Sequence, residues 1–72
     1  MFTNGQMVRV NLAGLQVGSV LFHAAVTDAV GHIVRETAPQ SSDAPGKYLV
    51  KLIFSFKGVS EVEVPADRIH AA

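Results

Sequence analysis

From Tyr48 to Ile69 the chain alternates apolar and polar residues through two runs separated by a turn, YLVKLIFSFKGVSEVEVPADRI. On the first run Tyr48, Val50, Leu52 and Phe54 share one face of an extended strand, and Leu49, Lys51, Ile53 and Ser55 share the other. The returning run sets Ser60, Val62 and Val64 against Val59, Glu61 and Glu63. A two-residue turn at Lys57-Gly58 would place Leu52 opposite Glu63 and mix the faces. A three-residue loop, Phe56-Lys57-Gly58, pairs Leu52 with Val62 and Val50 with Val64, and makes Lys51 and Glu63 a cross-strand ion pair. A slip of one residue turns every side chain over, so the pattern predicts the longer loop, with Gly58 at positive φ.

The same reading extends along the chain. Gln6 to Leu12 alternates, with Val8, Val10 and Leu12 inward, and predicts a first strand. Ala13 to Leu21 holds two glycines and no clean period, and predicts a long, partly buried connecting loop. Phe22 to Thr37 predicts a second hairpin around Asp28-Ala29-Val30-Gly31, where an acceptor side chain stands first and glycine fourth. That register sets Val26 opposite Val34 and Asp28 opposite His32. It turns Phe22, Ala24, Val26 and Val34 inward, and Ala25, Thr27, Ile33 and Arg35 outward. Ala38 to Gly46, with two prolines and two serines, predicts a mobile surface loop. Pro65 cannot donate to a ladder, so it stops the last long strand before a short helical turn and a final strand at Ile69 to Ala71. The expected organisation is a flexible N-terminal arm over 1–5 and one all-β domain over 6–72. That domain is a small barrel of five to six short antiparallel strands with one short helical turn near 65–68.

Val62-Glu63-Val64-Pro65-Ala66-Asp67-Arg68-Ile69 resembles the tail of Src-homology-3-like barrels, in which a strand ends in one tight helical turn before a last strand closes the barrel. Gly5-Gln6-Met7-Val8-Arg9-Val10 resembles the first strand of bacterial members. The resemblance covers the whole chain in layout and is carried by these two pieces. It implies a fold, and such folds host many functions. Plasmid-type dihydrofolate reductases are barrels of this kind that build one active pore from four chains, and they carry Val-Gln-Ile-Tyr before a proline. Here Glu61-Val62-Glu63-Val64 precedes Pro65. Glutamate and valine replace that family's glutamine and tyrosine, so no catalytic residue carries over.

Composition narrows the function classes. A chain of 72 residues makes one small core, burying only ~60–65% of the unfolded surface. Six basic and six acidic residues cancel, which argues against a nucleic-acid or anionic-membrane partner. The absence of cysteine removes disulfides and thiolate metal sites and fits a reducing cytoplasm. Hydrophobic residues make up 49% of the chain, more than so small a core readily hides, which points to burial between subunits. Val10 to Thr27 is uncharged, but Asn11, Gln16, Ser19, His23 and two glycines interrupt it. It suits neither a spanning helix nor a cleavable signal.

Candidate chemistry is thin. His23, His32 and His70 lack the spacing of a ligand set, and neither a metal nor another cofactor is expected. Ser41, Ser42, Ser55 and Ser60 have no glycine-framed elbow. Glu61 and Glu63 share a face and could divide acid and base roles, yet a Lys51–Glu63 pair makes that a solvated charged face. Gly14 and Gly18 lack the Gly-Lys-Ser/Thr ending of a phosphate loop. Tyr48 and Phe54, read as inward, offer nucleic acid no stacking platform, and Lys47, Lys51 and Lys57 are offset by Glu61 and Glu63. The sequence therefore predicts a non-catalytic binding or scaffolding module that forms a homo-oligomer through Leu49, Ile53 and Ile33. A protein partner or a small-molecule ligand fits equally. The alternative is a small-molecule enzyme whose site forms only where subunits meet.

Overall fold

The computed structural model describes residues 2–72, so Met1, the first residue of the expected arm, lies outside the described residues. Strands run over β1 (Met7–Val10), β2 (Gln16–Val17), β3 (Val20–Leu21), β4 (Ala29–Ala38), β5 (Lys47–Phe56), β6 (Val59–Pro65) and β7 (Ile69–Ala71). A 3-10 turn, Ala66–Arg68, links the last two. Five strands form one antiparallel sheet in the order β6-β5-β4-β1-β7, and β2 and β3 pair separately as a small hairpin.

This order forces the sheet to curl. β6 and β7 lie at opposite edges, which in a flat five-stranded sheet would stand ~19 Å apart. Only the three-residue 3-10 turn joins them, and it advances about 6 Å. The sheet must therefore bend round, and its concave side closes on a single cluster that includes Val8 and Val10 of β1, Val50 of β5, Val62 and Val64 of β6, and Ile69 of β7. No ladder joins β6 to β7 among the described residues, so both edges stay open.

The ends behave as their residues predict. In β1, Val8 and Val10 are buried while Met7 and Arg9 are exposed, and Leu12 follows inward. Pro65 closes β6, and Ala66–Arg68 turns once before β7. Arg68 fixes this turn against the chain leaving β1: its Nη1 donates to the carbonyls of Asn11 and Ala13 at 3.2 and 3.1 Å. The Asn11 amide donates back to the Arg68 carbonyl at 2.8 Å. At the N-terminus Phe2 is half-buried edge-on against Tyr48, with ring centroids 5.4 Å apart.

The expected hairpin over 22–37 does not form. Ala29, read as a turn residue, begins β4, a ten-residue strand paired with β1 on one side and β5 on the other. Asp28 does not face His32 but bonds Arg9 of the neighbouring strand at 2.9 Å. Val26 does not face Val34. Its amide donates to the His23 carbonyl within the loop before β4, and its carbonyl accepts the amide of Leu12, just beyond β1. Ala24, expected inward, is exposed, whereas Phe22 is buried as expected. The misread signal was Gly31, whose φ is not positive. A Cβ there would lie 2.5 Å from the Lys51 carbonyl oxygen, so glycine lets β4 and β5 approach closely and makes no turn.

The expected loop over 13–21 contains the β2–β3 hairpin, whose Gly18 has φ 60°. Residues 39–46 connect β4 to β5 without strand structure, as their prolines predict, and Ser41 and Ala44 exchange backbone hydrogen bonds there. No helix among the described residues is long and apolar enough to cross a membrane.

Candidate interaction face

The β5–β6 pair keeps the parity that alternation predicts and departs from the predicted register. Tyr48 faces Val64 and Val50 faces Val62, all buried, so with Leu52 these residues turn inward as expected. Lys51, however, stands opposite Glu61, and Glu63 stands opposite Leu49, two residues away from the predicted ladder. The turn explains the difference. Phe56 pairs directly with Val59 around a two-residue loop, with Lys57 at φ 51° and Gly58 at φ 82°, both positive as a type I′ turn requires. Such a loop would mix the faces if the ladder were regular. Between Lys51 and Phe56, β5 carries four residues, Leu52 to Ser55, against Ser60 alone on β6, and this bulge restores the parity.

The bulge also decides where the apolar side chains go. Ile53, Phe54 and Ser55 have no partner opposite them in either register. Ile53 is 67% exposed, and Phe54, expected inward, is 47% exposed. Phe56, expected in the turn, packs beside the core instead, stacked on Phe22 and lying 5.8 Å below the Lys57 ammonium.

Of the residues predicted to form an interface, two are accessible on β5. Leu49 is half-buried and Ile53 exposed, both on the outer face of β5 with Lys51 between them. Ile33 does not belong with them. It is 1% exposed and lies in the core, because β4 runs straight through the supposed turn and its alternation is the reverse of the hairpin's. Val34 bulges at the next position, which sets Arg35 opposite Leu49.

Across β4, β5 and β6 the outer face therefore reads in two rows. One row is His32, Lys51, Glu61, and the next is Arg35, Leu49, Glu63. All but His32 and Leu49, which are half-buried, are exposed. Within these rows Arg35 on β4 and Lys51 on β5 carry positive charge, and Glu61 and Glu63 on β6 carry negative charge. Exposed Glu36 of β4 stands opposite buried Tyr48, outside the rows. Arg35 is exposed as expected, but its place opposite Leu49 comes from the bulge at Val34, which nothing in the sequence marks.

The remaining candidates stay apart. His23 lies in the loop after β3, where its Nδ1 accepts the Ala25 amide at 3.0 Å. His32 stands between Met7 and Lys51, and His70 faces Arg9 from β7. No three metal-ligating side chains gather among the described residues, and no pocket opens among them. No family model, no curated protein and no solved structure matches this chain.

Proposed function

We propose that this chain is a Src-homology-3-like module that acts by contact, binding or scaffolding a partner, and that it self-associates through the outer face of β5. The likeness to those barrels is supported by the strand order β6-β5-β4-β1-β7, with a hairpin inserted after β1 and a 3-10 turn before β7. Its cysteine-free composition suits a reducing cytoplasm, where we place it.

The observation that carries self-association is Ile53, 67% exposed on the same face as half-buried Leu49, on a strand whose opposite face is core. Single exposed aliphatics are ordinary. An open Ile53 followed by an open Phe54, on a bulge with no strand opposite, is an apolar surface still accessible to a second molecule. Completing the burial of Ile53 and Leu49 would contribute roughly 2–3 kcal/mol per chain before the costs of association. Light scattering of the native chain and of the double variant Leu49→Lys, Ile53→Lys tests the reading. A native oligomer that the double variant dissociates is expected. A native chain that is monomeric at high micromolar concentration overturns it, and an oligomer indifferent to the substitutions moves the contact to another face.

A further inference from the structure

We propose that the second copy lies face to face on the β4–β5–β6 sheet, related by a two-fold axis running along β5, so that Glu63 of each chain meets Arg35 of the other. This rests on the self-association proposed above and specifies its geometry. Three two-fold arrangements can use this region, and charge separates them. In the first, β6 pairs edge to edge with β6 of the other chain. Antiparallel pairing centred on Val62 then sets Glu61 opposite Glu63, and centring on Glu61 sets Glu61 opposite itself. Like charges directly opposite disfavour both, and acidic side chains are a common guard of an open edge. In the second, the sheets stack about an axis perpendicular to the strands. That lays β6 over β6 and again gathers the glutamates.

The third arrangement, with the axis along β5, exchanges the two sides of the face. β6 then lies over β4, so Glu63 meets Arg35 and Glu61 meets His32, while Leu49 meets Leu49 near the axis. The row order that register imposes, basic on β4 and acidic on β6, is self-complementary only in this orientation. A two-fold contact also repeats each pair, so one matched pair counts twice. Lys51 meets its own copy near the axis, and Glu61, its cross-strand neighbour, offsets that repulsion.

Arg35 and Glu63 are both exposed, so reversing either charge leaves the core untouched. Arg35→Glu and Glu63→Arg should each weaken self-association about tenfold or more, because each homodimer then holds two like-charge contacts. An equimolar mixture should recover native affinity, since the mixed dimer restores both opposite-charge contacts. Analytical ultracentrifugation reads both effects, and melting temperatures equal to the native chain's, taken at concentrations too low for association, establish that both variants fold. Variants that associate as the native chain does, or a mixture no tighter than either variant alone, would overturn this geometry while leaving self-association standing. A native chain that stays monomeric at high micromolar concentration would remove self-association itself, and the geometry with it.

Discussion

The rings of Phe22 and Phe56 stack with centroids 5.0 Å apart and planes 28° from parallel. The contact ties the segment leaving β3 to the end of β5 beside its turn, so it holds the small hairpin to the main sheet. Phe22 is 2% exposed, and Phe22→Ala should destabilise the fold by about 3–5 kcal/mol. Phe56 is half-buried and should cost less. A double-mutant cycle read by urea unfolding should give a coupling of about 0.5–1.5 kcal/mol for the pair. Strict additivity would mean the rings contribute only their separate burial.

How far the sequence led can be judged on particular residues. β1 and the stretch from Val62 to Ala71 were legible because several signals agreed there: period-two alternation, Pro65 as a stop, and a polar turn before Ile69. The inward faces of β5 and β6 were legible too, since burial enforces parity. Register was not. Parity allows shifts of two residues, and a bulge of four residues against one carries no compositional mark. Lys57 at φ 51° belongs to the same problem, because a lysine does not announce a left-handed backbone. At Asp28-Ala29-Val30-Gly31 the residues fit a turn as well as they fit a strand, and only the close approach of Lys51 across the sheet decides between them. The candidate face was accordingly half visible. Leu49 and Ile53 followed from alternation, whereas the pairing of Arg35 with Leu49 follows only from the irregularity at Val34.

Two glycines with different physical roles give a direct comparison. Gly58 has φ 82° with no atom within 4 Å of an added Cβ, so substitution there is opposed by backbone strain alone. Gly58→Ala should lower stability by about 1–2 kcal/mol, and Gly58→Val somewhat more. Gly31 has the reverse problem, an allowed φ and a carbonyl oxygen 2.5 Å from the added carbon. Gly31→Ala must push β4 away from β5 and should lower stability by about 1–3 kcal/mol despite being the smallest possible change. Denaturant midpoints would compare them, and a Gly31→Ala protein as stable as the native one would contradict the close strand approach.

Arg68 offers a test of how the 3-10 turn is held. Its two donations to Asn11 and Ala13 are the side-chain link between this turn and the chain entering the β2–β3 hairpin. Arg68→Met keeps the stem and removes the donors, and should destabilise by about 1–3 kcal/mol. Amide exchange should quicken at Gly14 and Leu15, whose backbone bonds fold the hairpin back on itself. Equal loss of protection throughout β5 and β6 would instead mean that the arginine supports the whole fold and not this junction.

The sharpest contrast lies between two isoleucines that the sequence turns outward, Ile33 from the expected 22–37 hairpin and Ile53 from β5. Ile33 is 1% exposed and Ile53 is 67% exposed. Ile33→Ala empties a site walled by the core cluster and should cost about 2–5 kcal/mol, a large share of the stability of so small a domain. Ile53→Lys places its charge in solvent on the β5 bulge, and its effect on monomer stability should stay within about 0.5 kcal/mol. If the two chains associate through this face, the same Ile53→Lys variant should lose affinity for its own kind at concentrations where its folding is unchanged. Thermal unfolding at several protein concentrations separates these effects, because a folded dimer melts higher as concentration rises and a monomer does not. A concentration-dependent native melt that becomes flat in Ile53→Lys would locate the contact at β5. Equal destabilisation by Ile33→Ala and Ile53→Lys at low concentration would show instead that Ile53 is covered within its own chain.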